Sequence, residues 1–408
     1  MGPELLKAGR LRPSTSTASH TAWNCSTRFR RVGALLLCLG AYVFCNSMQP
    51  THPRLSQNSN TLFIPFIYKF SSDHVPLVRC TIEGVDIEMP VDTGSCGCLV
   101  GAPKLPNLGL DVGDPAHHFF TSSKILYVGR LVTLPVHFHG EARALATANI
   151  PVLVVDKSWK CPWYRPGQDS FDCPPGPNGE SAAERDTAKI TYMGVGFGRN
   201  YPRDGMPIAA PRTNAFLNIA VIDGLLTASK TMRYGYIVTT QGVHVGLTSK
   251  NTQGFVFQTL APGLTHDKDP RDWAMAQMCF SVNGKGANCG QLLVDTGIAQ
   301  SYIKSERIIP NITIRNPDKD GYAKMVTRVK PGTNLTFALP FFEDEATSFS
   351  FTVGGGSVIE PNFVVPGVAT STPFVNTGRN LLRGYSIAFD AVEGRFGLRP
   401  VHANSSAL

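Results

Sequence analysis

A chain of 408 residues, 42% apolar and 17% charged, holds enough material for two domains or lobes and is too apolar for a disordered chain. Its 39 glycines and 30 prolines exclude a helical bundle and favour a β-rich chain with many turns. The formal charge of +8 sits largely at the front, where Lys7, Arg10, Arg12, Arg28, Arg30 and Arg31 face a single acid, Glu4; no basic patch interleaved with aromatics follows, so no nucleic-acid partner is expected.

Residues 1–31 read as a basic N-terminal region. Arg28-Phe29-Arg30-Arg31 leads into an apolar run over 32–45. That run has the length of a signal-peptide core and is shorter than the roughly 20 residues a spanning helix needs. The long basic flank, and the lack of an Ala-x-Ala site, leave a retained signal-anchor open as well. Residues 32–45 are therefore either a signal-peptide core or a membrane tether. Both place the remainder in the secretory pathway, extracellular or lumenal.

The cysteines point to the same compartment. Cys161 and Cys173 flank a loop rich in Pro and Gly, and Cys279 and Cys289 flank Asn283-Gly284-Lys285-Gly286. Both pairs read as local disulfides of an oxidising environment. Cys80 is expected to pair with Cys96 or Cys98, leaving one thiol over. Sequons at Asn311, Asn334 and Asn404 are candidate glycosylation sites.

Residues 46–60 carry no periodicity and read as a linker or pro-region. Short alternating strands begin at Thr61. Glu83-Gly84 is a two-residue hairpin turn between 75–82 and 85–89, and the second strand runs straight toward Asp92. A first lobe over 61–235 continues with strands near 124–127, 131–138 and 150–155, then a Pro/Gly-rich loop and Met193–Gly198. A short helix follows, capped near Thr213 or Asn214. A second lobe over 236–402 repeats the texture, its Cys279–Cys289 hairpin leading to Asp295; residues 403–408 form a tail.

Val91-Asp92-Thr93-Gly94-Ser95 and Val294-Asp295-Thr296-Gly297-Ile298 organise the chain. Each follows an apolar strand, and the glycine allows a sharp turn that presents the carboxylate at the strand end. Average usage gives one Asp-Thr-Gly about once in ten chains of this length, and two about once in a few hundred. Two such carboxylates can face each other across an axis relating two similar halves.

This pattern resembles the pepsin-like aspartic proteases. Residues 376–390 with Gly397-Leu398-Arg399-Pro400 look like that family's closing segment. Residues 242–257 are similar to the stretch opening its second lobe, and Gly194-Val195-Gly196-Phe197 to the element crossing behind its first catalytic loop. The resemblance spans roughly residues 61–402. It implies an all-β, bilobal fold with a cleft between related lobes, and Asp92 and Asp295 as the catalytic pair sharing one water and about one proton. Thr93 and Thr296 would clasp the loops, Gly94 and Gly297 would allow their approach, and Ser95 would bond the outer oxygen of Asp92. Tyr127 and Gly129 are the flap candidates, in a flap that reads as truncated. The chain departs from the pattern at Ile298, which offers no donor to Asp295, and at Asn376-Thr377, polar where a hydrophobic pair is the rule.

The expected function is aspartic-type endopeptidase, a monomer cutting a polypeptide substrate without a cofactor. The alternative is a weakly active or inactive binding protein for polypeptides or glycans. His137-x-His139 and Cys96-x-Cys98 lack further ligands at zinc-site spacing, so no metal is expected. Gly194-x-Gly196-x-Gly198 runs into Tyr201-Pro202-Arg203 rather than a helix start, which argues against a nucleotide loop.

Overall fold

The computed structural model describes residues 60–169, 171–198, 210–227, 232–317, 323–342, 345–370 and 372–401. The run 32–45 and Asn404 lie outside the described residues. Within them the chain is strand and turn, its helical pieces being short 3-10 turns, and no helix is long and apolar enough to cross a membrane.

The chain opens with β1 (Leu62–Pro65), β2 (Leu77–Ile82), β3 (Val85–Pro90), β4 (Cys96–Gly101), β5 (Asp114–Phe120), β6 (Ile125–His139) and β7 (Leu145–Lys160). It continues through β8 (Ala183–Glu184), β9 (Thr191–Val195), β10 (Ile219–Ile222) and β11 (Leu225–Leu226). β12 (Arg233–Val238), β13 (Gly242–Leu247) and β14 (Val256–Thr259) lead to the second half. There lie β15 (Ala276–Val282), β16 (Lys285–Leu293), β17 (Ser301–Ser305), β18 (Asn311–Pro317) and β19 (Ala323–Val329). β20 (Asn334–Pro340), β21 (Glu345–Thr352), β22 (Val364–Val368), β23 (Phe374–Asn376), β24 (Tyr385–Asp390) and β25 (Arg395–Pro400) complete it.

Among the described residues three large sheets result. One runs β11-β10-β7-β6-β2-β3, with β4 and β9 attached through β7, β5 on β6 and β8 on β7. A second runs β21-β20-β15-β16-β23-β17-β22, beside the two-stranded β18–β19. The third, β1-β13-β12-β24-β25-β14, draws its strands from both ends of the chain and joins the halves. The expected all-β, two-lobed organisation is the one observed.

Local chemistry explains the two hairpins that lead to the aspartates. Val78, Cys80 and Ile82 on β2, with Ile87 and Met89 on β3, are buried while Arg79 and Glu88 between them face out. Burying each such side chain contributes about 1.5–3 kcal/mol. The turn residues Glu83 and Gly84 both have positive φ, 49° and 76°, as do Asn283 and Gly284 at 51° and 68°. That is the turn whose twist suits a two-residue hairpin. Cys161–Cys173 and Cys279–Cys289 are disulfides, the latter joining register partners on β15 and β16. The expected pairing of Cys80 with Cys96 or Cys98 is not found: all three are buried thiols, with no disulfide joining them.

The expected short helix is a pair of 3-10 turns, Pro211–Thr213 and Ala215–Leu217; the Asn214 side chain caps the second by accepting from Phe216 N at 3.0 Å. A buried clamp closes the joining sheet: Asp390, fully buried, binds Arg233 at 2.6 Å and Arg395 at 2.7 Å. Phe197 stacks on Phe389 at 4.0 Å, so the end of the β9 segment rests on that sheet.

Candidate active site

The two Asp-Thr-Gly loops meet where β3 and β16 end. Each is threaded by a strand from later in its own half. In the first, Asp92 N donates to Met193 O at 3.1 Å and Val195 N to Asp92 O at 2.7 Å. In the second, β23 lies parallel to β16 and antiparallel to β17, and Thr377 N donates to Leu293 O at 2.9 Å.

The threonines bind reciprocally. Thr93 N donates to Thr296 Oγ1 at 3.0 Å, and Thr296 N to Thr93 Oγ1 at 3.1 Å. Their hydroxyls then donate across to the opposite strand ends, Thr93 to Val294 O and Thr296 to Val91 O. Thr296 is fully buried and Thr93 nearly so, where unpaired groups would be costly. The glycines permit the approach. A Cβ on Gly94 would lie 2.2 Å from Asp295 Cγ, and one on Gly297 would lie 2.6 Å from Asp92 Oδ1.

The carboxylates are supported unequally. Asp92 accepts from Gly94 N at 2.8 Å, from Ser95 Oγ at 2.6 Å and from Tyr192 OH at 2.8 Å, the last two on Oδ2. Asp295 accepts from Gly297 N at 2.8 Å and from Asn376 Nδ2 at 2.7 Å. Asn376 thus supplies the donor that Ile298 does not, and is itself held by Gly378 N at 3.0 Å. Burial first, then the charge of Asp92, pushes the Asp295 carboxyl up to about 7. Arg379, 3% exposed, donates to Thr296 O at 3.0 Å, to Gly297 O at 2.9 Å and to Ser72 O at 2.8 Å, placing a cation behind the second loop.

The elevation of Asp295 has a consequence for stability. The folded chain holds a proton there that the unfolded chain gives up above its ordinary value near 3.8. Stability therefore falls as pH rises from about 4 to 7. Asp295→Asn removes the penalty, so the variant should melt above wild type at pH 7, with up to about 4 kcal/mol more stability, and converge with it near pH 4. A constant difference across that window in calorimetry would refute the assignment.

A cleft of about 670 Å³ opens over the pair, within the range that holds a ligand of several residues. Gln300, Tyr302, Lys304 and Phe374 line the second-lobe side. The β5–β6 hairpin, from Phe119 to Ser123 around its tip, lines the other. This corrects the flap expectation. Tyr127 is 8% exposed inside β6, opposite His118, with its hydroxyl accepting from Arg185 at 3.1 Å. Gly129 sits at the register shift between β6 and β7, where a Cβ would lie 1.9 Å from Val154 O. The tip comes earlier, and the hairpin keeps seven paired positions from Asp114↔Leu131 to Phe120↔Ile125.

Of the other sequence candidates, Cys96 borders this cleft, while the two histidines do not line it. His137 Nδ1 is 2.8 Å from Thr147 Oγ1 and His139 Nε2 is 2.7 Å from Thr81 Oγ1, each ring tied to its own threonine. Among the described residues no group of three or more His, Cys, Asp or Glu could hold a metal. Asn311 opens β18 with its side chain donating to Ile309 O at 2.8 Å, and Asn334 opens β20. Tyr192 and Arg379 are positions beside the aspartates that motif reading passed over, and Asn376 was marked there only as a departure from the family pattern. A periodic strand read from sequence does not say which residue meets a carboxylate across the fold.

No family model matches the chain, and no curated protein matches it. A solved structure does. The crystal structure of an aspartic proteinase from Irpex lacteus aligns with TM-score 0.47 and 12% identity, over 85% of this chain and 99% of that one.

Proposed function

We propose that this protein is an aspartic-type endopeptidase that hydrolyses peptide bonds in an extended polypeptide lying across the cleft. One observation carries the reading: two buried Asp-Thr-Gly carboxylates, each packed against the other loop's glycine, with unequal hydrogen-bond support. Two such groups titrate in separate steps and hold about one proton between them; the aspartic-protease dyad is the established case of this behaviour. Asp92, with three donors, is the ionised partner and takes a proton from a water placed between the carboxylates. Asp295 gives its proton to the scissile carbonyl oxygen as the water oxygen attacks the carbonyl carbon. The tetrahedral diol then collapses: one hydroxyl returns its proton to Asp295 as the C=O re-forms, the C–N bond breaks, and the proton on Asp92 passes to the leaving nitrogen.

The test is to incubate the purified protein with a denatured polypeptide from pH 3 to 7 and identify products by mass spectrometry. New peptide ends accumulating with time support the reading; intact substrate across the range sinks it. The tip residues Thr121, Ser122 and Ser123 and the aromatic Phe120 are suited to cover a bound chain and exclude water.

Lys304 bears on substrate choice, since apart from the two aspartates it is the charged side chain among the described residues of the cleft wall. Substrates with a Glu on the second-lobe side should be cut roughly threefold faster than their Gln counterparts, the effect of a solvent-facing charge pair. Lys304→Glu should reverse that order in matched-peptide kinetics. The secretory route remains part of the proposal, supported by the two disulfides.

A further inference from the structure

Tyr192 is not part of either Asp-Thr-Gly loop. It stands on β9, opposite Leu99 of β4, and lines the cleft beside the first loop. Its hydroxyl donates to Asp92 Oδ2 at 2.8 Å and closely approaches Ser95 Oγ, which itself donates to the same oxygen at 2.6 Å. Three oxygens thus form a triangle served by two hydroxyl protons. Whichever way those protons turn, Asp92 Oδ2 receives one directly, and the second either joins it or strengthens it through the other hydroxyl.

The ring is held as firmly as the hydroxyl. Phe120, at the end of β5, meets it edge-on with centroids 4.8 Å apart, and Phe120 also packs on Tyr127 at 5.7 Å. Burial and the charges of Asp92 and Asp295 push the Tyr192 hydroxyl well above its ordinary range, so it keeps its proton and acts as a donor. The second aspartate has no counterpart: Asn376 is a single neutral amide donor, and Ile298 offers none.

Building on the endopeptidase reading, we propose that Tyr192 is a positioning residue that keeps the shared proton on Asp295 and off Asp92. Hydrogen bonds donated to a carboxylate favour its ionised form, so the triangle biases the pair toward one of its two single-proton arrangements. The attacking water is then always activated from the first-lobe side. Among the described residues, the other titratable and charged groups facing this site are Cys96 on β4, whose thiol donates to Gly196 O, Arg379 behind the second loop, Lys304 and Tyr302 on β17, and His118 and Tyr127 on the hairpin. Burial lowers His118 to about 3, so it is neutral over all but the most acidic end of the range.

The experiment measures kcat/KM against pH from 2.5 to 8 for wild type, Tyr192→Phe, Ser95→Ala and the double variant. Asp carboxyls labelled with 13C are titrated by NMR in the same proteins. Tyr192→Phe should keep the fold and the cleavage sites, while its acidic limb and the lower NMR step of the pair move up by about one pH unit. The double variant should move further than either single one, and Tyr192→Leu should not restore the wild-type profile. An unshifted limb and unshifted NMR step in Tyr192→Phe would overturn the proposal even with activity intact. If wild type cuts nothing at any pH, the endopeptidase reading fails separately, and the NMR step still decides whether Tyr192 sets the proton's place.

Discussion

Asp92→Asn is expected to lower peptide hydrolysis by about 10²–10⁴-fold at every pH, the usual contribution of a positioned general base. Asparagine fills the same volume; with its carbonyl oxygen accepting from Gly94 N, its amide can donate to the Ser95 and Tyr192 hydroxyl oxygens instead of accepting from them, so the loop should keep its shape. What it loses is the charge that draws a proton from water. Circular dichroism and melting temperature should stay near wild type, and KM should move little beside kcat. Activity within a few fold of wild type would mean that some other group performs the chemistry. A collapse of the melting temperature would instead mean that the variant reports on the fold.

Arg379→Met should act on both stability and pH response. Methionine replaces the length of the side chain and leaves three carbonyls, Thr296 O, Gly297 O and Ser72 O, without their charged donor. Bonds of that kind contribute about 1.5–3 kcal/mol each in favourable cases, and partial rescue by water lowers the sum to roughly 3 kcal/mol. A melting temperature lower by about 5 °C is expected. The guanidinium also faces Asp295 and Asp92 electrostatically. Its removal takes away a cation that favours their charged forms, so the acidic limb of the activity profile should move up in pH. Arg379→Lys separates the effects: a lysine keeps the charge but cannot span three acceptors, so it should restore the pH limb more than the stability. A variant as stable as wild type, with an unmoved limb, would remove Arg379 from the site.

Local features were legible in the sequence wherever they rest on neighbours in the chain. The hairpin at Glu83-Gly84 follows from alternation and turn chemistry, and so does the one at Asn283-Gly284. The two aspartates are marked by their own glycines. β4 escaped because all six of its positions are buried, so Cys-Gly-Cys-Leu-Val-Gly shows no alternation. β5 escaped because Asp-Pro-Ala-His-His reads as a turn, whereas in the fold it borders β6 alone, an edge that tolerates Pro115. Tyr127 next to Gly129 imitates a hairpin tip in one dimension; Gly129 is needed for a close pass against β7. The partners of Asp295 were the hardest to see, because Asn376 and Arg379 reach it across 81 and more residues of chain.

The reciprocal threonine bonds also say something about the order of folding. Thr93 and Thr296 are 203 positions apart, and each leans on a carbonyl of the other's strand. Hairpins such as β2–β3 close from contacts a few residues distant, whereas this latch must close a very long loop before it returns any free energy. The halves can therefore gain their sheets while the carboxylates are still apart. On the endopeptidase reading proposed above, catalytic competence would arrive with the final closure, and a nascent chain would carry no exposed working dyad while it is being made.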